Sequence, residues 1–332
     1  MFMLNHPLYN YTCKKISYSS IFKETKFVPE NLPITAVLSV PILNNKAFLV
    51  KQQESGWWDI PGGHIEDSEN WEDSINRELR EEVGIIVDNH QIIGYFEITS
   101  TASDLGTKSK YPSPSAILVT LSFVQKYIPN WEKPKDILDR AIVQFKRLDK
   151  YVGNREGSNQ LMNVLLLAKK ELDALSIIYE FSFVKDNIDF NIPVTQVYGF
   201  CKDASSDEFC IVRETGQNHY SLPGGGCEIG ESPEEAFRRE LMEEALLKTD
   251  DIALIGATRV DIYTPDKKTH LQTILQVRFY TDIKEIVPFI PNKDGFEIEE
   301  RIFVSLPNLI EKVDWLKTEV GSNIIAEINK LK

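Results

Sequence analysis

Two stretches of the sequence place acidic side chains at helical spacing directly after a glycine-rich turn. In the first, a turn at residues 61–63 precedes Glu69, Arg77, Glu78, Glu81 and Glu82. On a helix the last three glutamates lie at i, i+3 and i+4, so their carboxylates crowd one side. Like charges at this spacing each cost on the order of a few tenths of a kcal/mol, and hard divalent cations prefer oxygen ligands. The pattern therefore predicts a Mg²⁺ site, with Mn²⁺ as a substitute.

The same arrangement recurs later in the chain. Its members are Gly225, Glu231, Arg239, Glu240, Glu243 and Glu244, and Leu246 stands where the first stretch has Gly84. A helix rich in Glu and Arg is usually only a solvent-exposed helix face. A single stretch of this kind would indicate an exposed face as readily as a metal site. Two copies, each with a glycine turn and an upstream glutamate at the same distances, favour a site.

Both stretches resemble the Nudix box, G-x5-E-x7-R-E-U-x-E-E-x-G-U, in which U is an apolar residue. Residues 63–85 match every specified position, and residues 225–247 depart from it at Leu246. The resemblance implies an α+β fold, an α/β/α sandwich around a mixed sheet, formed twice in one chain. It also implies the hydrolysis of a nucleoside diphosphate linked to another moiety. The departure at Leu246 implies either a second helix that runs on or ends differently, or a decayed second site.

The resemblance also assigns roles within each box. The implied metal ligands are the Gly62 carbonyl, Glu78, Glu81 and Glu82 in the first box, and the Gly224 carbonyl, Glu240, Glu243 and Glu244 in the second. Arg77 and Arg239 would hold and orient a glutamate, and Glu69 and Glu231 would support the loop and the helix. Bound metal ions neutralise a pyrophosphate and lower the pKa of a bound water that attacks phosphorus.

A carboxylate must take the proton from that water, and the sequence leaves its identity open. The candidates are Glu78, Glu81, Glu240 and Glu243 within the boxes and, because many family members are thought to use a later loop, Glu297, Glu299 and Glu300 in the second half. The first half has Ile142 where Glu300 would align, with Asp136 and Asp139 nearby.

Self-similarity extends beyond the boxes. Residues 31–35 return as 191–195, residues 49–52 as 211–214, and residues 157–159 as 321–323. Anchors in the same order at nearly constant separation indicate duplication of a whole domain, and a chain of 332 residues is long enough for two. We expect domain 1 at residues 1–175 and domain 2 at residues 176–332, joined by a short connection.

Apolar periodicity predicts that each half combines an amino-terminal strand, further strands, one box helix and a closing helix. The expected strands are 34–41, 47–52, 92–98 and 116–124 in the first half and 252–263 and 271–281 in the second, and the expected closing helices are 160–172 and 324–331. The first box helix follows residue 70, and its apolar face consists of Trp71, Ile75, Leu79 and Val83. Gly84 suits a left-handed end to that helix.

The composition excludes several function classes. A net charge of -13 argues against a sequence-independent grip on nucleic acid, because phosphate backbones attract Lys and Arg. No apolar run approaches the roughly 20 residues that span a bilayer, and the 4 cysteines show no zinc-like spacing. We therefore expect a cytoplasmic protein whose partner is a small nucleotide, with neither nucleic acid nor membrane as partner. It would be either a monomer whose halves mimic a dimer or a homodimer.

The leading hypothesis is a Mg²⁺-dependent hydrolase of phosphoanhydride bonds in nucleoside diphosphate derivatives, with at least one active box. Candidate substrates are, in order, ADP-ribose-like compounds, dinucleotides, sugar nucleotides and oxidised nucleoside triphosphates. The rival hypothesis is that one or both halves bind a nucleotide as a sensor without turning it over. Consumption of the nucleotide, against a mere rise in melting temperature, discriminates between the two.

Overall fold

The computed structural model describes residues 9–13, 16–101, 112–153, 157–289 and 298–331. The chain divides into two compact units. Unit 1 comprises Met1–Ile178 with Tyr263–Gln272, and unit 2 comprises Tyr179–Ile262 with Thr273–Lys332. The domain limits that the repeat suggests, with a boundary at residue 175, stay a prediction.

The described part of unit 1 forms a nine-stranded mixed sheet in the order β1-β2-β7-β8-β3-β4-β5, with β6 on β3 and β9 on β4. The strands are β1 Tyr9–Cys13, β2 Ile16–Glu24, β3 Ile34–Leu43, β4 Lys46–Gln52, β5 Trp58–Asp59, β6 Gly62–His64, β7 Ile85–Thr101, β8 Ser115–Tyr127 and β9 Ile137–Gln144. The helices are α1 Trp71–Glu78, α2 Asp149–Val152 and α3 Ser158–Ala174, with a π-helical turn at Leu79–Val83 and a 3₁₀ turn at Phe145–Arg147. Strands β3 and β8 run parallel.

Unit 2 repeats this plan, with a seven-stranded sheet among its described residues in the order β10-β15-β16-β11-β12-β18 and β13 on β11. The strands are β10 Ile178–Val184, β11 Val194–Asp203, β12 Glu208–Glu214, β13 Gly224–Gly226, β14 Leu247–Lys248, β15 Ala253–Tyr263, β16 His270–Asp282, β17 Glu285–Ile286 and β18 Ile298–Val304. The helices are α4 Pro233–Glu240, α5 Leu306–Lys312 and α6 Glu319–Ile328, with a π-helical turn at Leu241–Ala245 and a 3₁₀ turn at Asp314–Lys317. Strands β11 and β16 run parallel, and β14 pairs with β17.

The sheet of unit 2 is covered on two faces, in agreement with the expected sandwich. In unit 2 one apolar cluster joins the box helix to the sheet and includes Phe237, Leu241 and Val197. A second cluster joins the closing helices to the sheet and includes Phe200 and Leu309. Burial of these side chains is the main favourable term in holding the layers together. The α+β class and the internal duplication are therefore confirmed.

The expected strands are all present, but several are longer than predicted. Strand β7 begins at Ile85, seven residues before the predicted start, and pairs with β8 from Ile85 opposite Tyr127. The added stretch includes polar residues such as Asp88 and Gln91. Gln91 pairs with Leu121 although its own strand propensity is low, and Asp88 lies in an irregularity of the pairing between Val87 and His90.

The two box helices end in the same way. Gly84 (φ 70°, ψ 38°) and Leu246 (φ 51°, ψ 46°) both adopt the left-handed conformation after a π-helical turn. The interpretation that the second helix runs on or ends differently is therefore wrong. A leucine in this conformation costs about 1–2 kcal/mol relative to right-handed backbone, so the surrounding structure of unit 2 holds Leu246 there.

At Gly84 a side chain would also meet a neighbour. A Cβ atom there would lie 2.4 Å from Cγ of Trp131, whereas a Cβ atom at Gly56 (φ 69°) would meet nothing within 4 Å. We expect Gly84→Ala to lower the free energy of unfolding by about 2–4 kcal/mol, from backbone strain plus overpacking. Gly56→Ala should lower it by about 1 kcal/mol from strain alone. Denaturant titration of both variants measures the difference, and equal losses would contradict the role of Trp131.

In the described part of the chain, no helix is both long enough and apolar enough to cross a membrane.

Candidate active sites

A glycine turn leads into each box helix. Strand β6 pairs with β3 so that Gly62 lies opposite Leu38. Gly62 has φ 141°, and a Cβ atom there would lie 2.2 Å from the Val37 carbonyl oxygen. Gly224 repeats this geometry with φ 144° and the Val197 carbonyl oxygen at 2.0 Å. Only glycine fits at this point, and the turn therefore holds the backbone against the box carboxylates.

Arg77 is the centre of the first site. Its Nε and Nη2 donate to the two carboxylate oxygens of Glu69 at 2.9 and 3.1 Å. Its Nη1 donates to Glu78 Oε1 at 2.8 Å and reaches Glu81 Oε2 at 3.5 Å. Its Nη2 also donates to the His64 carbonyl oxygen at 3.1 Å. One guanidinium thus links the turn, the upstream glutamate and the helix by hydrogen bonds, and the roles of Arg77 and Glu69 in a metal site stay a prediction.

Arg239 repeats this arrangement in unit 2. Its Nε and Nη2 both donate to Glu231 at 2.9 Å, and its Nη1 donates to Glu240 Oε1 at 2.8 Å and to Glu243 Oε2 at 3.1 Å. Its Nη2 donates to the Gly226 carbonyl oxygen at 2.8 Å. These hydrogen bonds lower the pKa of Glu231 below its ordinary value. The duplication therefore preserves the three-dimensional arrangement as well as the motif.

The carboxylates of Glu78 and Glu240 lie pressed against the glycine turns. A Cβ atom on Gly63 would lie 2.3 Å from Glu78 Oε1, and one on Gly225 would lie 2.5 Å from Glu240 Cδ. Burial raises the pKa of both glutamates, and the neighbouring arginine opposes that rise. Each side chain is thus desolvated and held in one place by a single cation.

The glutamates that follow four residues later bind the turn directly. Gly62 N donates to Glu82 Oε2 at 2.9 Å, and Gly224 N donates to Glu244 Oε2 at 3.1 Å. Glu82 is 8% exposed, and Gln52 Nε2 donates to its other oxygen at 3.4 Å. Burial raises the pKa of Glu82 to about 7, although the hydrogen bond from Gly62 opposes this. A cation beside Glu82 would offset the cost of burying its charge.

The third carboxylate of each box is more exposed to solvent than the other two. The side chains of Glu81 and Glu243 are 60% and 61% exposed, and each forms an ion pair with the arginine of its own site. In the described residues, no group of three or more His, Cys, Asp or Glu side chains is arranged to hold a metal ion. The donor set nevertheless fits a hard cation, because buried carboxylates lie beside a glycine turn with little positive charge to balance them. The chemistry of the predicted ligands thus suits Mg²⁺ or Mn²⁺.

The raised pKa of Glu82 predicts a pH dependence of stability. The folded protein binds this proton more tightly than the unfolded chain does, so the stabilisation is fully present below about pH 4.5 and is lost as the pH rises through about 7. We expect the metal-free protein to lose roughly 3 kcal/mol by this route. Melting temperatures between pH 5 and pH 8 measure the loss.

Two variants control that measurement. Glu82→Gln carries no titrating group and should show a flatter pH profile. Glu285→Gln, at an exposed residue that pairs with Lys248, should keep the wild-type slope. Addition of Mg²⁺ at pH 8 should restore stability to the wild type and not to Glu82→Gln. A wild-type slope in Glu82→Gln would contradict the assignment.

The register of the last strand corrects one alignment. In unit 2, β18 pairs with β12 so that Glu300 lies opposite Arg213. In unit 1, β9 pairs with β4 so that Asp139 lies opposite Lys51. Asp139 is therefore the counterpart of Glu300, and the alignment of Ile142 with Glu300 is wrong. The segments before the two strands differ in length, and only the hydrogen-bonded register reveals the equivalence.

Glu300 is bound by three donors on one oxygen. Arg213 Nε and Nη2 lie 3.1 and 2.9 Å from Glu300 Oε2, and the Tyr220 hydroxyl donates to the same atom at 2.7 Å. These hydrogen bonds, first from Tyr220 and then from Arg213, lower the pKa of Glu300. Glu299 accepts from Arg213 Nη1 at 3.0 Å, and Glu297 lies outside the described residues. The general-base role of Glu300 stays a prediction.

Sequence reasoning missed an arginine that holds each π-helical turn. Arg140 Nη1 donates to the Val83 carbonyl oxygen, and its guanidinium lies 4.1 Å from the centre of the Trp131 ring. Arg301 Nη1 donates to the Ala245 carbonyl oxygen at 2.5 Å and to the Leu246 carbonyl oxygen at 3.3 Å. Each arginine follows directly after Asp139 or Glu300, so the corrected alignment would have identified the pair. They satisfy carbonyl groups that a helix end leaves unpaired.

Comparison with known proteins identifies the class that this fold and these sites define. The NUDIX domain family model matches residues 33–161 and 196–322, which together exceed half of the chain. The chain belongs to the Nudix family, and it carries two Nudix domains.

Individual relatives match shorter regions. An uncharacterized Nudix hydrolase from Bacillus subtilis is 43% identical over 53 residues, which are 16% of this chain and 34% of the relative. An RNA pyrophosphohydrolase from Tolumonas auensis is 45% identical over 47 residues, 14% of this chain and 27% of the relative. The chain thus spans about a third or less of these two relatives. An 8-oxo-dGTP diphosphatase from Proteus vulgaris is 33% identical over 83 residues, 20% of this chain and 74% of the relative.

Solved structures give weaker similarities. A pyrophosphohydrolase from Bacillus subtilis superposes with a TM-score of 0.36 and 18% identity, covering 46% of this chain and 90% of its own. An ADP-ribose pyrophosphatase from Streptococcus suis superposes with a TM-score of 0.30 and 14% identity, covering 42% and 92%. The family assignment rests on the family model and on the sequence matches.

Proposed function

We propose that the protein is a divalent-metal-dependent hydrolase of phosphoanhydride bonds in nucleoside diphosphate derivatives. The observation that carries the proposal is the arginine-centred cluster of carboxylates against a glycine turn, built in the same way in both units. Structural support alone would not require buried carboxylates with raised pKa values, because an apolar side chain would fill the same space at lower cost. A metal-assisted site requires such carboxylates.

The proposed metal ligands are the carboxylates of each box and the carbonyl oxygen of its glycine turn. In unit 1 these are Gly62, Glu78, Glu81 and Glu82, and in unit 2 they are Gly224, Glu240, Glu243 and Glu244. Bound Mg²⁺ would neutralise the pyrophosphate and lower the pKa of a bound water. Arg77 and Arg239 hold two carboxylates of each set by hydrogen bonds. The ligands are therefore partly organised before a substrate arrives, which lowers the cost of assembling the site.

For the proton acceptor we propose Glu81 in unit 1 and Glu243 in unit 2. Both side chains are mostly exposed, so water has access to them. Glu78 and Glu240 remain second choices because they are buried against the turn. The lowered pKa of Glu300 makes that carboxylate a weaker base, since a general base works best with a pKa near the working pH.

The proposed substrates are small nucleotides, with ADP-ribose-like compounds and dinucleotides first. An oxidised nucleoside triphosphate is the second candidate, supported by the match to the Proteus vulgaris diphosphatase over 74% of its length. The net charge of -13 supports a small substrate over a polyanionic one. A cytoplasmic, reducing location is supported by Cys201 and Cys210, which are buried free thiols.

The proposal is tested by incubating the purified chain with a panel of such nucleotides in Mg²⁺, in Mn²⁺ and in excess chelator. We expect nucleoside monophosphate or inorganic phosphate products with either metal and none with chelator. A nucleotide that raises the melting temperature without being consumed would favour a sensor instead. Failure of the entire panel to react or to bind would contradict both functions.

A further inference from the structure

Unit 2 contains a buried arginine that forms no ion pair with any described residue. Arg278 lies on β16 and is 4% exposed. Its Nη1 donates to the Val277 carbonyl oxygen at 3.3 Å, and its Nη2 donates to Gln276 Oε1 at 2.9 Å. Its Nε is buried and has no hydrogen-bond partner. Buried arginines are nearly always paired with carboxylates, and Arg278 has no carboxylate partner among the described residues.

Two aromatic rings shape what can reach this guanidinium. The Cζ atom of Arg278 lies over the rings of Tyr198 and Trp315, 5.4 and 5.0 Å from their centres. Cation–π contacts offset part of the cost of burying the charge. Burial still lowers the pKa of Arg278 to about 10. The N–H groups in the guanidinium plane remain the donors through which Arg278 can bind a further group.

Strand pairing places Arg278 in one cross-strand row with Gly224, which belongs to the glycine turn proposed to bind metal. Tyr198 lies opposite Arg278 in the parallel pair β11 and β16, and opposite Gly224 in the antiparallel pair β11 and β13. Adjacent strands lie about 5 Å apart, so Gly224 and Arg278 are roughly 10 Å apart along this row. Burial, followed by the charge of Glu244, raises the pKa of Tyr198 to about 12. Tyr198 thus lies between Arg278 and Gly224 in the strand register and is affected by the charge of Glu244.

Unit 1 has no equivalent of this arrangement. The corresponding row runs from Gly62 through Leu38 to Val119, and Val119 is a fully buried apolar residue. The two units therefore share the carboxylate cluster and differ beside it. A feature that only supported the fold would be expected in both units, whereas a feature that selects a ligand can be restricted to one.

We propose that Arg278, beside Tyr198 and Trp315, binds a phosphate group of the unit 2 substrate beyond the two phosphates of the scissile bond. This rests on the proposed function for unit 2. The in-plane N–H groups of arginine match the oxygens of phosphate, and the bond is charge-assisted. The additional phosphate has two chemical sources, a third phosphate in the chain or a phosphate on the ribose. Unit 2 would then select a more highly phosphorylated nucleotide than unit 1.

The test uses ligand pairs that differ by one phosphate and cannot be hydrolysed at a phosphoanhydride. One pair is α,β-methylene ADP and α,β;β,γ-bismethylene ATP, in which every bridging oxygen between phosphorus atoms is replaced, and the other is AMP and adenosine 2′,5′-bisphosphate. Calorimetry in Mg²⁺ on the full chain gives the affinity gained from the extra phosphate in each pair. We expect the extra phosphate to increase affinity in one pair. Arg278→Met should reduce that gain in affinity by about 10- to 100-fold and leave the affinity for the ligand without the extra phosphate unchanged.

Two further variants complete the experiment. Arg259→Met removes an arginine of the neighbouring strand whose fork is already bound to Asp261, and it should leave all four affinities unchanged. Arg278→Lys keeps the charge and loses the planar donors, so it should lose most of the gain. If Arg278→Met fails to show a cooperative thermal transition, the affinities of Arg278→Lys decide whether Arg278 binds the extra phosphate.

The outcomes separate this inference from the proposed function. If neither extra phosphate increases affinity, or if the Arg278 variants weaken both members of a pair equally, the subsite is refuted. If the gain depends on Arg278 but no nucleotide is hydrolysed, the subsite stands and the hydrolase proposal fails. The pair that shows the gain identifies the source of the phosphate.

Discussion

The double variant Glu82→Gln with Glu244→Gln is expected to lose metal-dependent hydrolysis by a thousandfold or more. Glutamine has nearly the same shape as glutamate, and its amide oxygen can still accept the hydrogen bonds that Gly62 N and Gly224 N now donate. The change therefore removes a negative charge and a metal ligand while it leaves the packing in place. Loss of about 4 kcal/mol of transition-state stabilisation corresponds to this factor. Steady-state turnover of any substrate found in the nucleotide panel measures it.

The single variants divide the activity between the units. If both units are active, each single variant should keep only the turnover of the unit that was not changed. The rates of Glu82→Gln and Glu244→Gln should then sum to the wild-type rate. Glu285→Gln, at an exposed carboxylate paired with Lys248, is the matched control and should keep full activity. Wild-type turnover in the double variant would overturn the assignment of the metal ligands.

Gly63→Ala and Gly225→Ala are each expected to reduce the activity of their own unit by about a hundredfold. The added methyl group would lie 2.3 Å from Glu78 Oε1 in unit 1 and 2.5 Å from Glu240 Cδ in unit 2. Carbon and oxygen cannot approach so closely, so the carboxylate must move by about 1 Å. A displacement of that size at a catalytic group typically costs about 10²-fold in rate. The measurement is kcat with saturating Mg²⁺, made in a background that lacks the other unit's activity.

Unit 2 offers a matched control for this prediction within the same turn. A Cβ atom on Gly226 would meet only the Thr195 carbonyl oxygen at 4.0 Å, which is an ordinary contact. Gly226→Ala also keeps the carbonyl group that accepts from Arg239. It should therefore retain activity within about twofold. Similar losses in Gly225→Ala and Gly226→Ala would indicate that the turn needs flexibility and not room for Glu240.

The duplicated architecture has a consequence for how the two sites can differ. Arg77 and Arg239 make nearly the same hydrogen bonds, so the arrangement of the carboxylates is fixed by contacts that both units retain. Differences are confined to the surroundings, where Lys51 and Asp139 in unit 1 replace Arg213 and Glu300 in unit 2. We infer that the units share a reaction and differ in the ligands that they accept.

Much of each box was determined by local sequence. The box helix begins after Asn70, whose side chain accepts from Asp73 N at 2.8 Å, and its apolar residues Ile75 and Leu79 are fully buried as their spacing predicts. In unit 2, Ser232 and Glu235 form a capping box. Such features depend on residues within one or two helical turns of each other, and a single sequence contains them in full.

Only the tertiary structure decided which carboxylates are buried and which residues surround them. Glu81 and Glu82 are neighbours in sequence, yet Glu82 is buried and bound to Gly62 N while Glu81 remains exposed, because only the side of the helix that carries Glu82 packs against the glycine turn. The equivalence of Asp139 with Glu300 and the missing acceptor of Arg278 also depend on strand register. Register is set by hydrogen bonds between segments far apart in the chain, and burial is set by everything that packs around a side chain. Neither property can be read from the spacing of residues along one segment.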